Sequence, residues 1–425
     1  MADIQKLAVL GGTPVCDGGW PAWPQADDAV RRAVDATLTS GRWAISGPRR
    51  GGPSVQERLE RAWAEYNGVA HAIAVSSGSS ALVTAMEALD IGPGDEVIVP
   101  DWTWVASAST VLRTGAKPVL VDVDPGNFCI SAETVAGAIT PRTKAIVGVH
   151  LHQTMMHIEP LLELARAHGL FFIEDCAQAH GALYDGRRAG SFGDVACFSF
   201  QQTKPLTCGE GGMVMTNSDE IAERVFELHA DGRRRIPPDP VTGLELGDSD
   251  GPMGANHGMS EVQAAILLAQ MEGLDARLAH AADNAAWLDA ALPDNRPLRA
   301  LVHPARMQRR TVFEYILSFD PEVVERVPIA TIGAVLTAET GTPWYASDPP
   351  LHDSALYRPG SKRRFAEVAG ATPGRARFPV ATDFASRSIA CHHSVLLAPR
   401  RDVARLVAAF DKVLDGLDQL ETLAS

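Results

Sequence analysis

Short apolar runs alternate with amphipathic stretches through the first half of the chain. Ala72–Val75, Glu96–Val99, Pro118–Val121, Ala145–Val149 and Leu170–Ile173 have the length and composition of strands. Between them, Ser79–Leu89, Trp104–Arg113, Ala132–Ala138 and Ile158–Ala167 space their apolar residues along one helical face. Apolar strands separated by helices predict an α/β fold, with a mostly parallel central sheet flanked by helices on both faces. Two helices, Ala26–Thr37 and Ser54–Tyr66, precede the alternation. The Gly-, Pro- and Trp-rich segment 1–50 around the first of them reads as an arm that packs on something else.

The second half is patterned differently. The polar segment 231–255 reads as a long loop or flap. Met259 to Ala290 predicts one long helix that links the large domain to a smaller α+β C-terminal domain. That domain is expected to hold a strand at Phe313–Phe319 and helices at Glu322–Thr337 and Arg401–Leu417, with the Pro-containing stretch 341–361 irregular. The expected units are 1–255, arm plus large domain, and 256–425, linking helix plus small domain.

Ligands of parallel sheets sit beyond the carboxyl ends of the strands, so the residues that follow each strand are the ones to inspect. The first strand runs into Ser76-Ser77-Gly78-Ser79-Ser80, a Gly-containing turn that opens a helix. Free backbone amides and the helix dipole suit Gly78 and Ser79 to a phosphate. The second strand runs into Trp102-Thr103-Trp104, aromatic rings suited to stacking on a flat ring. The fifth ends at Glu174-Asp175, with Gln178 three residues beyond Asp175. A carboxylate there suits a protonated pyridine nitrogen, and Gln178 an oxygen on the same ring. A further apolar run, Val195–Phe200, delivers Ser199 and then Lys204. This is the single Lys or Arg between Arg188 and Arg224, with apolar or neutral flanks and Pro205 behind it. A desolvated lysine has a lowered pKa and forms a Schiff base with an aldehyde. Taken singly, these are a serine cap, core tryptophans, a strand-end aspartate and a surface lysine. In this order on one sheet they describe pyridoxal 5'-phosphate: phosphate, ring, pyridinium nitrogen and aldehyde.

Composition narrows the partners. Hydrophobic content of 46% and charged content of 21% are ordinary for a globular chain. A net charge of −14 argues against a nucleic acid or an anionic membrane surface as partner. The six cysteines show no C-x-x-C spacing, so buried thiols are expected and a metal site is not. No signal-peptide pattern opens the sequence and no apolar run reaches membrane-spanning length, so a cytoplasmic location is expected.

Glu174-Asp175, Gln178, His180, Phe198-Ser199-Phe200, Lys204, the Gly209–Gly212 turn and Gly254-Ala255-Asn256 together resemble the DegT/DnrJ/StrS-type sugar and cyclitol aminotransferases. The resemblance runs from about Gly41 to Gly212 and resumes at Gly254. It implies the type I fold of pyridoxal phosphate enzymes, with Lys204 as Schiff-base lysine and proton carrier and Asp175 at the pyridinium. It also implies Gln178 near the ring oxygen, Trp104 stacked on the ring with Trp102 as the weaker candidate, and Gly78, Ser79 and Ser199 on the phosphate. Asn256 matches a residue donated to the neighbouring subunit's cofactor, which implies a homodimer with shared active sites.

Leu356-Tyr357-Arg358-Pro359 and His392-His393 are similar to the branch that aminates inosose rings with glutamine as donor. This implies His392 and His393 near a keto-cyclitol acceptor; Trp43 is a further candidate from the arm. Glutamate as donor, a nucleotide-linked keto-sugar as acceptor, a dehydratase or amino-hydroxybenzoate synthase activity, and a catalytically silent cofactor-binding partner remain open. Two places depart from the family pattern. His150–His157 replaces a more usual Gly- and Asp-bearing turn, and Gly258 stands where an Arg often follows the Asn.

Overall fold

The computed structural model describes residues 6–48, 52–292, 295–370 and 372–424, with no side-chain description beyond residue 420. Seven strands form the central sheet: β1 (His71–Val75), β2 (Glu96–Pro100), β3 (Lys117–Val121), β4 (Thr143–Val149), β5 (Phe171–Asp175), β6 (Val195–Ser199) and β7 (Gly212–Thr216). Their spatial order is β1-β7-β6-β5-β4-β2-β3. The pairs β2/β3, β2/β4, β4/β5 and β5/β6 are parallel, while β7 runs antiparallel to both β1 and β6. The strands are almost wholly buried, as expected where helices cover both faces.

Register lines up the chemistry. Val149 lies opposite Asp175 and Asp175 opposite Cys197, while Gly212 lies opposite both Ser199 and Val75. The ends of β1, β5 and β6 and the start of β7 therefore meet at one edge of the sheet. Two glycines permit that convergence. A Cβ on Gly78 would lie 2.7 Å from the Ser199 Cβ, and a Cβ on Gly212 would lie 2.2 Å from the Ser77 carbonyl oxygen.

The second half departs from the expected pattern wherever the chain carries a breaker. The predicted single helix over 259–290 is two, Glu261–Met271 and Leu274–Ala291, interrupted at Gly273, which is not helical. The predicted helix over 322–337 is also two, Pro321–Arg326 and Ile329–Thr340. Val327 is extended before Pro328, as a pre-proline residue prefers. Segment 231–255 holds a two-stranded ribbon, Arg233–Arg235 against Leu246–Asp248. Arg235 pins it to the helix Val55–Asn67, at 3.1 Å from Glu57 and 2.7 Å from Glu60. Segment 341–361 contains the strand Trp344–Ala346. That strand completes an antiparallel sheet with Leu298–Ala300, Glu314–Phe319 and Ser388–His392.

Two apolar cores result. One fills both faces of the seven-stranded sheet and recruits Leu351, Tyr357, Phe378 and Phe384 from the C-terminal half. The other joins the small sheet to the helices around it, with Leu7 of the arm inserted. A buried ion pair secures that arm. Lys412 Nζ lies 2.8 Å from Glu339 Oε2 and donates to the Thr13 carbonyl at 2.7 Å, while Glu339 accepts the amides of Ala8 and Val15. Lys412→Met leaves the Glu339 charge buried without its partner. This variant is expected to lose about 3–5 kcal/mol of stability, read as a lower urea midpoint.

Candidate active site

A cavity of about 510 Å³ opens at the convergent sheet edge. It is lined by Gly78, Ser79, Trp104, Asp175, Gln178, Ser199 and Lys204, seven of the residues singled out from sequence, together with Trp102. The remaining candidates lie elsewhere. Trp43 is 57% exposed and donates from Nε1 to the Leu38 carbonyl. Asn256 is exposed on a segment that runs along the outer strand, where the Ser76 amide donates to the His257 carbonyl at 2.7 Å.

His392 and His393 stand behind the lysine loop, outside the cavity lining. His392 Nε2 donates to the Thr203 carbonyl at 2.9 Å, and Trp23 Nε1 donates to the Gln202 carbonyl at 3.1 Å. His393 is buried, with the Trp23 ring edge-on at 4.7 Å. These contacts grip the backbone just before Lys204.

The helix Gly78–Ala88 supplies an anion cradle. The Ser77 hydroxyl caps the amide of Ser80, and the Gly78 and Ser79 amides have no partner among the described residues. Asp175 is buried at the end of β5 and accepts from the Ser107 hydroxyl at 2.9 Å and the Ala177 amide at 3.2 Å. Burial raises its carboxyl above the usual range, and these two bonds offset only part of that.

Lys204 has its Nζ 3.6 Å from the Phe313 ring centroid and forms no ion pair among the described residues. Burial lowers its pKa to about 8, against the opposing charges of Glu314 and Asp175. His180 donates from Nε2 to the Ser199 carbonyl at 2.9 Å. Burial, reinforced by the Lys204 charge, depresses its pKa to about 3, which keeps this ring neutral.

The unusual turn after β4 forms the opposite wall. His152, at φ 54°, donates its amide to Gln178 Oε1, and its Nδ1 lies 2.8 Å from Glu314 Oε2. The Tyr345 hydroxyl donates to the other Glu314 oxygen at 2.9 Å. Burial alone would raise the Glu314 carboxyl. The bonds from His152 and Tyr345, and the Lys204 charge, outweigh it and hold Glu314 below the usual range. The neighbouring His150 bonds Glu174, which also accepts the amides of Gly190, Phe192 and Gly193. His150, Glu174 and Cys176 lie close together. With its oxygens taken up in this way, Glu174 acts as a loop anchor rather than a metal ligand.

Sequence reasoning missed Ser107, Phe313, Glu314 and Asp348. Ser107 carries a weak signal, a hydroxyl in the first turn of a helix at the carboxyl edge of the sheet. The other three come from the C-terminal half of the chain and carry no local motif.

The lowered Lys204 pKa makes a prediction independent of any ligand. The neutral amine, the reactive form, should appear as pH rises through about 8 rather than near the ordinary 10.5. Labelling of Lys204 by an amine-selective acylating reagent, read by peptide mass spectrometry across pH 6–11, is expected to follow that lower titration.

The family model for the DegT/DnrJ/EryC1/StrS aminotransferases matches residues 24–411. The L-glutamine:2-deoxy-scyllo-inosose aminotransferase of Streptoalloteichus tenebrarius is 43% identical, over 96% of this chain and 97% of its own length. The L-glutamine:scyllo-inosose aminotransferase of Streptomyces griseus is 40% identical, over 98% of this chain and 99% of its own. Among solved structures, 3-amino-5-hydroxybenzoic acid synthase superposes with a TM-score of 0.80 at 29% identity, over 94% of this chain and 99% of that one. With the sheet, the convergent cavity and these matches over nearly the whole length, the chain belongs to the DegT/DnrJ/EryC1/StrS aminotransferase family.

Proposed function

We propose that this aminotransferase uses pyridoxal 5'-phosphate to move an amino group from glutamine, or glutamate, to an uncharged polyhydroxylated ring ketone. The acceptor we propose is a keto-cyclitol of the scyllo-inosose or 2-deoxy-scyllo-inosose type. The observation that carries the acceptor class is the charge of the cavity. Asp175, Glu210, Glu314 and Asp348 line it, and Lys204 is the one Lys or Arg among the described lining residues. A nucleotide-linked sugar brings a diphosphate that such a wall repels, whereas a cyclitol brings only hydroxyls. The names of the two bacterial relatives point the same way.

The residues fit the cofactor. Gly78 and Ser199 approach so closely that no side chain at residue 78 could enter between them, and two unpartnered amides lie beside that contact. Asp175 holds a buried carboxylate in the same cavity, and Lys204 an amine free of ion pairs. When bound, pyridoxal phosphate supplies an aldehyde that captures amines and a ring that draws electrons from the carbon being deprotonated. Gly78, Ser79 and Ser199 would hold the phosphate, and Trp104 and Gln178 would orient the ring. Asp175 would keep a proton on the ring nitrogen. Lys204 would capture the aldehyde and then carry the proton between carbons at its Nζ.

We further propose a homodimer, with Asn256 facing the second subunit's site. Met253 at 96% exposure and Val241 at 90% stand on the same segment, apolar surface that a second copy would cover. The unpaired thiols of all six cysteines suit a reducing cytoplasm.

Two predictions follow from this reading. Glutamine added to the cofactor-loaded protein should abolish its visible absorbance band, and scyllo-inosose should then restore it. A band that ignores both glutamine and glutamate overturns the donor, and product formed without any donor favours synthase chemistry. Lys204→Ala should lower turnover by at least about a thousandfold, measured as amination of scyllo-inosose under saturating glutamine.

A further inference from the structure

Two carboxylates in the cavity, those of Glu210 and Asp348, take no hydrogen bond or ion pair among the described residues. Glu314 gives one oxygen to His152 and the other to Tyr345, and Asp175 is bonded by Ser107 and Ala177. Asp348 lines the same cavity, yet its carboxylate takes no hydrogen bond and no ion pair among the described residues. Burial, and then the nearby Glu314 charge, push its carboxyl up. Asp348 is exposed to the open cavity, so its carboxylate is accessible to a hydroxyl donor on a bound ring.

The backbone around Asp348 is built to hold it there. Trp102 Nε1 donates to the Asp348 carbonyl at 2.9 Å. On one side, the Ser347 amide donates to the Ser388 carbonyl, and the Ser388 hydroxyl donates to Ser347 Oγ at 2.8 Å. On the other, the Leu351 amide donates to the Asp101 carbonyl at 2.7 Å, and His352 Nδ1 donates to Asp101 Oδ2 at 2.6 Å. Asp101 and Trp102 directly follow β2, so the sheet edge that carries the cofactor-facing residues also fixes the segment that presents Asp348.

We propose that the Asp348 carboxylate accepts a hydrogen bond from a ring hydroxyl of the acceptor, away from its ketone, and thereby selects polyhydroxylated ring ketones. This rests on the acceptor class proposed above. Asp348 is a specificity residue in this assignment, with no part in proton transfer. A hydroxyl bonded to this carboxylate favours the ring that carries it over one that leaves the exposed carboxylate to water.

The test uses Asp348→Ala and Asp348→Asn in the cofactor-loaded protein with three readouts. These are the rate at which glutamine removes the visible band, KM and kcat for scyllo-inosose, and the same constants for cyclohexanone, a ring ketone without hydroxyls. For Asp348→Ala the glutamine step is expected to stay within about twofold of the parent. KM for scyllo-inosose should rise about tenfold or more while cyclohexanone is unaffected. Asp348→Asn, which keeps an accepting oxygen without the charge, should fall between the two. Unchanged constants for scyllo-inosose overturn the assignment, as does an equal loss with both ketones or a matching loss in the glutamine step. If the parent enzyme aminates neither scyllo-inosose nor its 2-deoxy form, the acceptor class itself fails and takes this assignment with it.

Discussion

The Lys204 ammonium is half-buried in the cavity, between residues of two sheets. The large sheet contributes Asp175 from the end of β5, and the small sheet contributes Phe313 and Glu314 from the start of its longest strand. A buried cation needs compensation and a reactive amine needs the absence of a direct partner. The structure meets both demands with charges that act across space and an aromatic face that accepts the ammonium, while no carboxylate bonds Nζ. The small sheet is therefore part of the electrostatics of the lysine.

The same boundary explains what was legible in the sequence. The strand–helix alternation up to β5 is local, set by periods of two and of 3.6, and its elements appear within a few residues of where the pattern puts them. Gly78, Asp175 and Lys204 each lie at or shortly beyond the carboxyl end of a strand, so one rule about strand ends finds them. Glu314 and Asp348 reach the cavity only through tertiary packing, and no short motif marks either one. Breakers account for two of the differences in the second half. Gly273 and Pro328 each divide a stretch whose apolar spacing runs on through them, and periodicity alone gives them too little weight.

His392 and His393 lie beside the cavity rather than in its lining. Adjacent histidines at a strand end look like ligands for a substrate, and the family resemblance favoured that reading. In the structure His392 spends Nε2 on the backbone of the lysine loop, and His393 lies buried against Trp23. The departure at His150–His157 had the opposite outcome. His152 bridges Gln178 and Glu314 and so joins the large-domain wall of the cavity to the small-domain one, while His150 braces Glu174. Substituting an unexpected turn did not remove the site's scaffolding but rebuilt it from histidine.

The grip of Trp23 and His392 on the carbonyls of Gln202 and Thr203 bears on entropy. These two bonds hold the backbone of the loop bearing Lys204 from outside the cavity lining. A loop left free would have to surrender about 1–2 kcal/mol of backbone entropy per residue at the moment of binding. Each carbonyl held by Trp23 or His392 lowers the freedom that this loop still has to lose on binding, so the arm bears on affinity at Lys204 without lining the cavity.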